Sequence, residues 1–148
     1  MPNLADNKKA HFNYEILEKI EAGLVLAGAE VKSVKAGQVS LKEAFVTFHT
    51  NDAFLTNAHI SPYHQAGPQP DYDPTHSRKL LLHRKEIAYL RTKALEKGLT
   101  IIPLSMYSKS RLIKVELAVA KGKHTFDKRE TLKKRDIDRE TKRVIKEL

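Results

Sequence analysis

From Arg111 to Ala120 apolar and polar residues alternate with period two. Ile113, Val115, Leu117 and Val119 take one side; Leu112, Lys114, Glu116 and Ala118 take the other. This pattern predicts a half-buried strand. Leu99 to Tyr107 alternates as well, with Ile102, Leu104 and Met106 assigned to one face, and Ser108-Lys109-Ser110 joins the two strands as a hairpin. Pro103 lacks a ladder donor, so its position belongs at an edge or a bulge. A second hairpin is predicted from Ala44 to His49 and Ala53 to Ile60, connected through Thr50-Asn51-Asp52. Lys79 to Leu82 reads as a short apolar strand.

Helical spacing appears twice. Ile87, Leu90, Ala94 and Leu95 mark one face of a helix over Arg84 to Lys97, with Gly98 placed at its C′ position. A shorter helix over Glu30 to Lys35 turns Val31 and Val34 inward and is closed by Gly37. Tyr14 to Leu26 fits two readings. Ile16, Leu17, Ile20 and Leu24 suit a helix, whereas Tyr14, Ile16 and Ile20 with an interruption at Gly23 suit a bulged strand. Ser61 to Ser77 holds four of the six prolines and reads as a long, mobile surface loop. Several strands with two interspersed helices in about 120 residues predict a mainly β architecture with α, a small oligonucleotide-binding-like β-barrel.

Charge divides the chain. The 148 residues carry 27 Lys+Arg against 18 Asp+Glu, a net +9. Residues 121–148 hold 11 of those cations and 6 of the acids, leaving 16 against 12 for residues 1–120. The predicted organisation is therefore a barrel domain over 1–120 and a basic C-terminal tail over 121–148. Such a tail buries too little apolar surface to offset its ordering entropy alone. Its Ile137, Val144, Ile145 and Leu148 nevertheless fall on one helical stripe. The expectation is disorder when free and a helix where a surface is offered; a helix packed on its own barrel is the competing reading.

Candidate chemistry narrows the function. Without cysteine there is no disulfide framework, no thiolate metal site and no cysteine nucleophile. No apolar run approaches the ~20 residues of a membrane span, so a membrane partner is not expected. His59, His64, Asp71, Asp73 and His76 gather near the proline-rich loop, but their spacings match no compact ligand motif and they read as surface residues; no metal or other cofactor is expected. No phosphate loop or nucleophile elbow occurs, so the chain does not read as an enzyme. The basic excess points to a polyanion, with nucleic acid first. Arg78 and Lys79 enter the predicted Leu80 to Leu82 strand, His83, Arg84 and Lys85 leave it, and Lys121-Gly122-Lys123-His124 follows the last strand. Cations at strand ends grip phosphates while an exposed Tyr, His or Leu packs on splayed bases.

A series of strings occurs in order along the chain. These are Asn7-Lys8-Lys9-Ala10 with Tyr14, Glu21-Ala22-Gly23, Glu30-Val31-Lys32-Ser33, Ile60-Ser61-Pro62-Tyr63, Arg78-Lys79-Leu80-Leu81-Leu82, Ala120-Lys121-Gly122-Lys123 and Asp127-Lys128-Arg129. Together they resemble the SsrA-binding protein family, also called small protein B, over nearly the whole length. The resemblance implies an oligonucleotide-binding-like barrel in which Tyr14 to Leu26 is mostly strand. It implies a cytoplasmic, non-catalytic, monomeric partner of transfer-messenger RNA that works in trans-translation on stalled ribosomes. In that family the barrel binds the tRNA-like domain of that RNA in place of its missing anticodon arm, and the tail, unstructured when free, becomes helical in the empty messenger channel beside the decoding centre, which the resemblance implies for this chain as well. Carried over, the RNA-facing positions are Tyr14, Glu21, Gly23, Leu81 and His83, with Lys32, Arg78 and Lys79 added beside them. Lys121, Lys123, His124, Asp127, Lys128 and Arg129 are the ribosome-engaging tail positions. His124 stands where the family commonly has lysine, which removes one fixed charge at neutral pH.

Glu21 is unusual at an RNA surface, since phosphate repels it; it is expected to accept hydrogen bonds from base edges or to orient a neighbouring cation. Two other classes remain open on composition alone. One is a structural ribosomal component held to rRNA by charge. The other is an RNA-cleaving enzyme using His83 with a second histidine.

Overall fold

The computed structural model describes residues 3–123. The tail stripe of Ile137, Val144, Ile145 and Leu148, and the tail positions His124, Asp127, Lys128 and Arg129, lie outside the described residues. In chain order the elements are β1 (Ala5–Asp6), α1 (Ala10–Asn13), β2 (Tyr14–Leu24), α2 (Gly28–Lys35), β3 (Val39–Ser40), β4 (Phe45–His49), β5 (Asp52–Thr56), β6 (His59–Ile60), β7 (Arg78–Leu81), α3 (Arg84–Leu95), β8 (Leu99–Lys109) and β9 (Leu112–Gly122). A short 3₁₀ turn, His64–Ala66, lies between β6 and β7. Seven strands form one antiparallel sheet in the order β1-β8-β9-β2-β7-β5-β4, while β3 and β6 pair separately. The sheet curls until β4 packs beside β8, with no ladder between them among the described residues. This is an oligonucleotide-binding-like barrel with an open seam. No helix among the described residues is long and apolar enough to cross a membrane.

Tyr14 to Leu24 is a strand, and a bulge between Ile16 and Glu18 explains its ambiguous pattern. Before the bulge Tyr14 and Ile16 face outward from the barrel; after it Lys19, Glu21 and Gly23 do, because the extra residue switches which parity points out. The same device operates in β8. The register shifts between Pro103 and Ser105, so Ile102 and Leu104 join one apolar cluster while Met106 joins another with Ile101. The single face expected for Ile102, Leu104 and Met106 is thus divided, at the bulge that Pro103 marks.

The main core lies inside the barrel and includes Val34, Leu41, Leu55, Ile60, Leu80, Leu90, Met106, Val115 and Leu117. A smaller cluster of Ala10, Ile102, Leu104, Ala118 and Ala120 lies where α1 covers the outer face of the long strands, with Tyr14 and Ile16 packed against it. The small alanines on β9 let α1 approach closely there. Beyond Ala120 the chain does not leave the barrel at once. β9 continues to Gly122, and Lys123 donates from its backbone to Asn13 and from its Nζ to the His11 carbonyl, so the boundary drawn at residue 120 falls inside a strand.

Helix ends follow local chemistry. Gly37, at φ 78°, receives the chain leaving α2, with Gly37 N–H on the Val34 carbonyl and Gln38 N–H on that of Ser33, a Schellman closure. α3 stops at Leu95, two residues before the Lys97 expected: Glu96 is already extended, and Gly98 turns the chain into β8 instead of capping the helix. The strand expected from Ala53 to Ile60 also ends early, at Thr56. Asn57 takes a positive φ after β5, and His59–Ile60 crosses to pair with β3.

Candidate nucleic-acid interface

Registered neighbours across an antiparallel sheet point to the same side. Tyr107 of β8 pairs with Lys114 of β9, Lys114 with Gly23 of β2, and Gly23 with Leu81 of β7. One row therefore crosses four strands on the outer face. The next row is Ser105, Glu116 and Glu21, and Lys79, Phe54 and Thr47 continue the face across β7, β5 and β4. Glu21, Gly23, Lys79 and Leu81, named from the sequence, thus share one surface. Extending the Gly23–Leu81 register by two residues places His83 level with Glu21. There His83 caps α3, exposed, its backbone N–H bonded to Glu86 Oε1 at 2.8 Å.

Leu81 is 50% exposed in the middle of this surface. It lies over Gly23, where an added Cβ would meet Leu81 Cβ at 3.1 Å. The absent side chain lets Leu81 lie down against the sheet and present a flat apolar face of the kind a base can pack on. Glu21 is held by two groups the sequence reading missed. The Tyr107 hydroxyl donates to Glu21 Oε2, and Lys109 Nζ stands 3.4 Å from Oε1. The tyrosine bond, more than the lysine, keeps the Glu21 carboxyl below the usual carboxylate range. Burial and that same bond push the Tyr107 hydroxyl well up, so at neutral pH it is a fixed donor. Each Glu21 oxygen keeps a lone pair for an incoming base amino group. Period two, read across the bulge at Pro103, is the signal that would have placed Tyr107 beside Glu21.

The surface is not strongly basic. Lys19, Lys109 and Lys114 share it with Glu21 and Glu116, and Lys19 lies 3.9 Å from Glu116. Lys79 is similarly paired, 3.8 Å from Asp52. Tyr14 lies on the same outer face but at the far end of β2, roughly 25–30 Å from Gly23 at the usual rise per residue, half-buried against the α1 cluster. Lys32 is not on the sheet: it is carried by α2 with its Nζ 5.7 Å from the centre of the Tyr63 ring. Lys121 pairs with Glu15 and Leu99 at the end of β9, on the side opposite the Gly23 row, and Lys123 is tied to α1.

Arg78 requires a correction. It is 2% exposed, and its guanidinium is spent inside the protein. Nε donates to Glu30 Oε2 at 2.8 Å, Nη1 to the Ala58 carbonyl at 2.7 Å, and Nη2 to the Tyr72 hydroxyl at 3.0 Å and the Pro74 carbonyl at 2.9 Å. Strand alternation puts Arg78 and Leu80 inward and Lys79 and Leu81 outward, so Arg78 has no face left for phosphate. Its partner Glu30, 5% exposed, also binds Tyr72 and His76 and caps its own helix through the Ala27 N–H. Burial pushes the Glu30 carboxyl up, but the Ala27 bond, Arg78 and His76 together hold it below the ordinary range. The proline-rich segment, expected to be a mobile loop, is thereby fastened through Tyr72, Pro74 and His76. His76 is bonded to Glu30 and is not merely a surface residue. Among the described residues no three potential ligands converge as a metal site.

A family model described as SmpB protein matches residues 4–147. An SsrA-binding protein of Oleidesulfovibrio alaskensis is 50% identical over 142 residues, covering 96% of this chain and 91% of the relative. One from Geobacillus kaustophilus is 50% identical over 144 residues, covering 97% and 92%. A solved structure from work described as "tmRNA-SmpB: a journey to the center of the bacterial ribosome" superposes with a TM-score of 0.69 at 41% identity, covering 86% of this chain and 92% of that one.

Proposed function

The chain belongs to the SmpB family of SsrA-binding proteins, and from that membership we propose that it binds the tRNA-like domain of transfer-messenger RNA and brings it to stalled ribosomes for trans-translation. It does so without catalysis, in the cytoplasm where the ribosome works. The observation that carries the barrel's part is the row across β8, β9, β2 and β7, where an exposed leucine lies over a glycine beside a carboxylate held by tyrosine and lysine. Apolar contact and oriented acceptors select shape and unpaired bases, while a surface with little net charge adds little non-specific affinity. Tyr14, Glu21, Gly23, Lys79, Leu81 and His83 are assigned to RNA contact. Lys32 is a peripheral phosphate contact, and Arg78 serves by holding the fold. Ribosome engagement belongs to residues 121–148, with Lys121, Lys123, His124, Asp127, Lys128 and Arg129 as its contact positions.

The test is the RNA that co-purifies with the full-length protein from its native cell, identified by sequencing. Transfer-messenger RNA enriched far above tRNA and rRNA is the expected result. Recovery of RNAs in proportion to their abundance would identify a general charge-driven binder and overturn the proposal.

A further inference from the structure

The open seam of the barrel holds a cleft of about 440 Å³. Lys9, Ala10, Asn13 and Tyr14 form one wall, Lys42, Glu43, Ala44 and Phe45 the other, and Thr100 and Ile102 of β8 the floor. It exists because β4 packs beside β8 without a ladder, so the sheet stops short of closing beside α1.

Its chemistry is sorted. Two aromatic rings, the half-buried Tyr14 and the exposed Phe45, stand with the apolar Ile102. Two lysines come from different elements, Lys9 at the start of α1 and Lys42 just before β4. Neither lysine has a carboxylate within 4 Å among the described residues. The Lys9 ammonium is held below the ordinary lysine range, chiefly by the Lys42 side chain beside it, with the Glu43 carboxylate of the same cleft acting in the opposite direction and only partly offsetting it. Like charges kept together in this way carry a repulsion that a bound anion removes. The Asn13 amide in the same wall makes no side-chain hydrogen bond among the described residues and is available to a base edge.

We propose that this seam cleft is a single-nucleotide site, in which one unpaired RNA nucleotide stacks its base on Tyr14 and Phe45 and places its phosphate between Lys9 and Lys42. Stacking rings with adjacent cations are how proteins hold splayed single-stranded nucleotides. A free inorganic anion would use the lysines but not the rings. The inference rests on the RNA-binding reading and adds a second contact region, at the opposite end of β2 from Leu81.

The experiment uses the full chain with two probes. With the transcribed tRNA-like domain, Lys42→Ala should weaken binding about three- to tenfold and lower the slope of log affinity against log salt by roughly 0.7–0.9, one phosphate contact. Phe45→Ala should weaken it about tenfold with the salt slope unchanged, and Phe45→Leu, the milder variant, by less. Lys42→Arg should restore the slope. With a short oligouridylate, backbone amide resonances of Lys9, Ala10, Lys42, Phe45 and Thr100 should shift in a titration by nuclear magnetic resonance, whichever structured RNA the protein serves. Inorganic phosphate alone should move Lys9 and Lys42 but not Phe45. Wild-type protein that ignores the tRNA-like domain yet shows the oligouridylate shifts would sink the functional reading and leave the cleft standing. Unchanged affinity and slope in both variants, or no shifts at the cleft, would overturn the cleft itself.

Discussion

Two clusters in this protein each set a tyrosine and a basic side chain on one glutamate. Glu30 gathers Tyr72, His76 and Arg78; Glu21 gathers Tyr107 and Lys109. The first is buried at the root of the proline-rich segment, the second exposed on the outer sheet face. Burial decides what each can do. Around Glu30 nearly every donor is consumed internally, so the cluster fixes where the segment from Tyr72 to Arg78 lies. Around Glu21 two partners orient the carboxylate and leave its other lone pairs to solvent or RNA. A charged residue beside a strand is therefore not evidence of a binding site until its side of the strand is known.

The largest way to break the comparison is to cut the buried cluster. Arg78→Ala removes the cation paired with the buried Glu30 carboxylate and the donor to the Ala58 carbonyl. Removing one member of a buried pair costs about 3–5 kcal/mol, so the thermal midpoint should fall by roughly 10 °C or more, read by circular dichroism. A fall of only a degree or two would show that the pair contributes little.

Next comes acid. The Glu30 carboxyl is held below its ordinary value in the folded chain, so its contribution is complete above the unfolded value near 4.3 and is lost as pH falls through the lower folded one. Urea midpoints in the wild type should drop across that window, and the drop should be smaller in Glu30→Gln. Identical pH profiles for the two proteins would remove Glu30 as the source.

The exposed cluster should respond in the opposite sense. Tyr107→Phe removes the hydroxyl that holds Glu21, with the ring retained. Affinity for the tRNA-like domain should fall a few-fold, with a thermal midpoint within about 2 °C of wild type, because exposed hydrogen bonds contribute about 1 kcal/mol or less to folding. A large loss of stability would move this cluster into the structural class with Glu30.

Much of the architecture is legible in the sequence because it rests on local pattern. The Arg111 to Ala120 alternation, the helical spacing of Ile87 and Leu90 and the glycine closing α2 each specify an element without help from the rest of the chain. Two kinds of fact are not local. The bulges at Ile16/Glu18 and Pro103/Ser105 invert the facing of everything beyond them, so Tyr14 and Glu21, an odd number apart, share a face while Ile102 and Met106 do not. The turn between β8 and β9 is another case: Ser110 and Arg111 both adopt positive φ with neither Gly nor Asn to announce it. The site was legible mainly through resemblance, which named Glu21, Gly23 and Leu81. Residue chemistry alone promoted Arg78, because arginine beside lysine at a strand entrance looks like phosphate-binding charge, and only alternation in the folded strand separates the two.

The central claim is that the outer sheet face recognises RNA by placed residues and not by bulk charge. Its most direct test is the affinity of Leu81→Ala for the labelled tRNA-like domain in the presence of excess bulk tRNA. Leu81 is half exposed and carries no charge, so its loss should leave the thermal midpoint within about 3 °C of wild type while weakening binding about tenfold or more, the scale of one lost base-packing contact. Affinity equal to wild type in a folded Leu81→Ala protein would contradict the account.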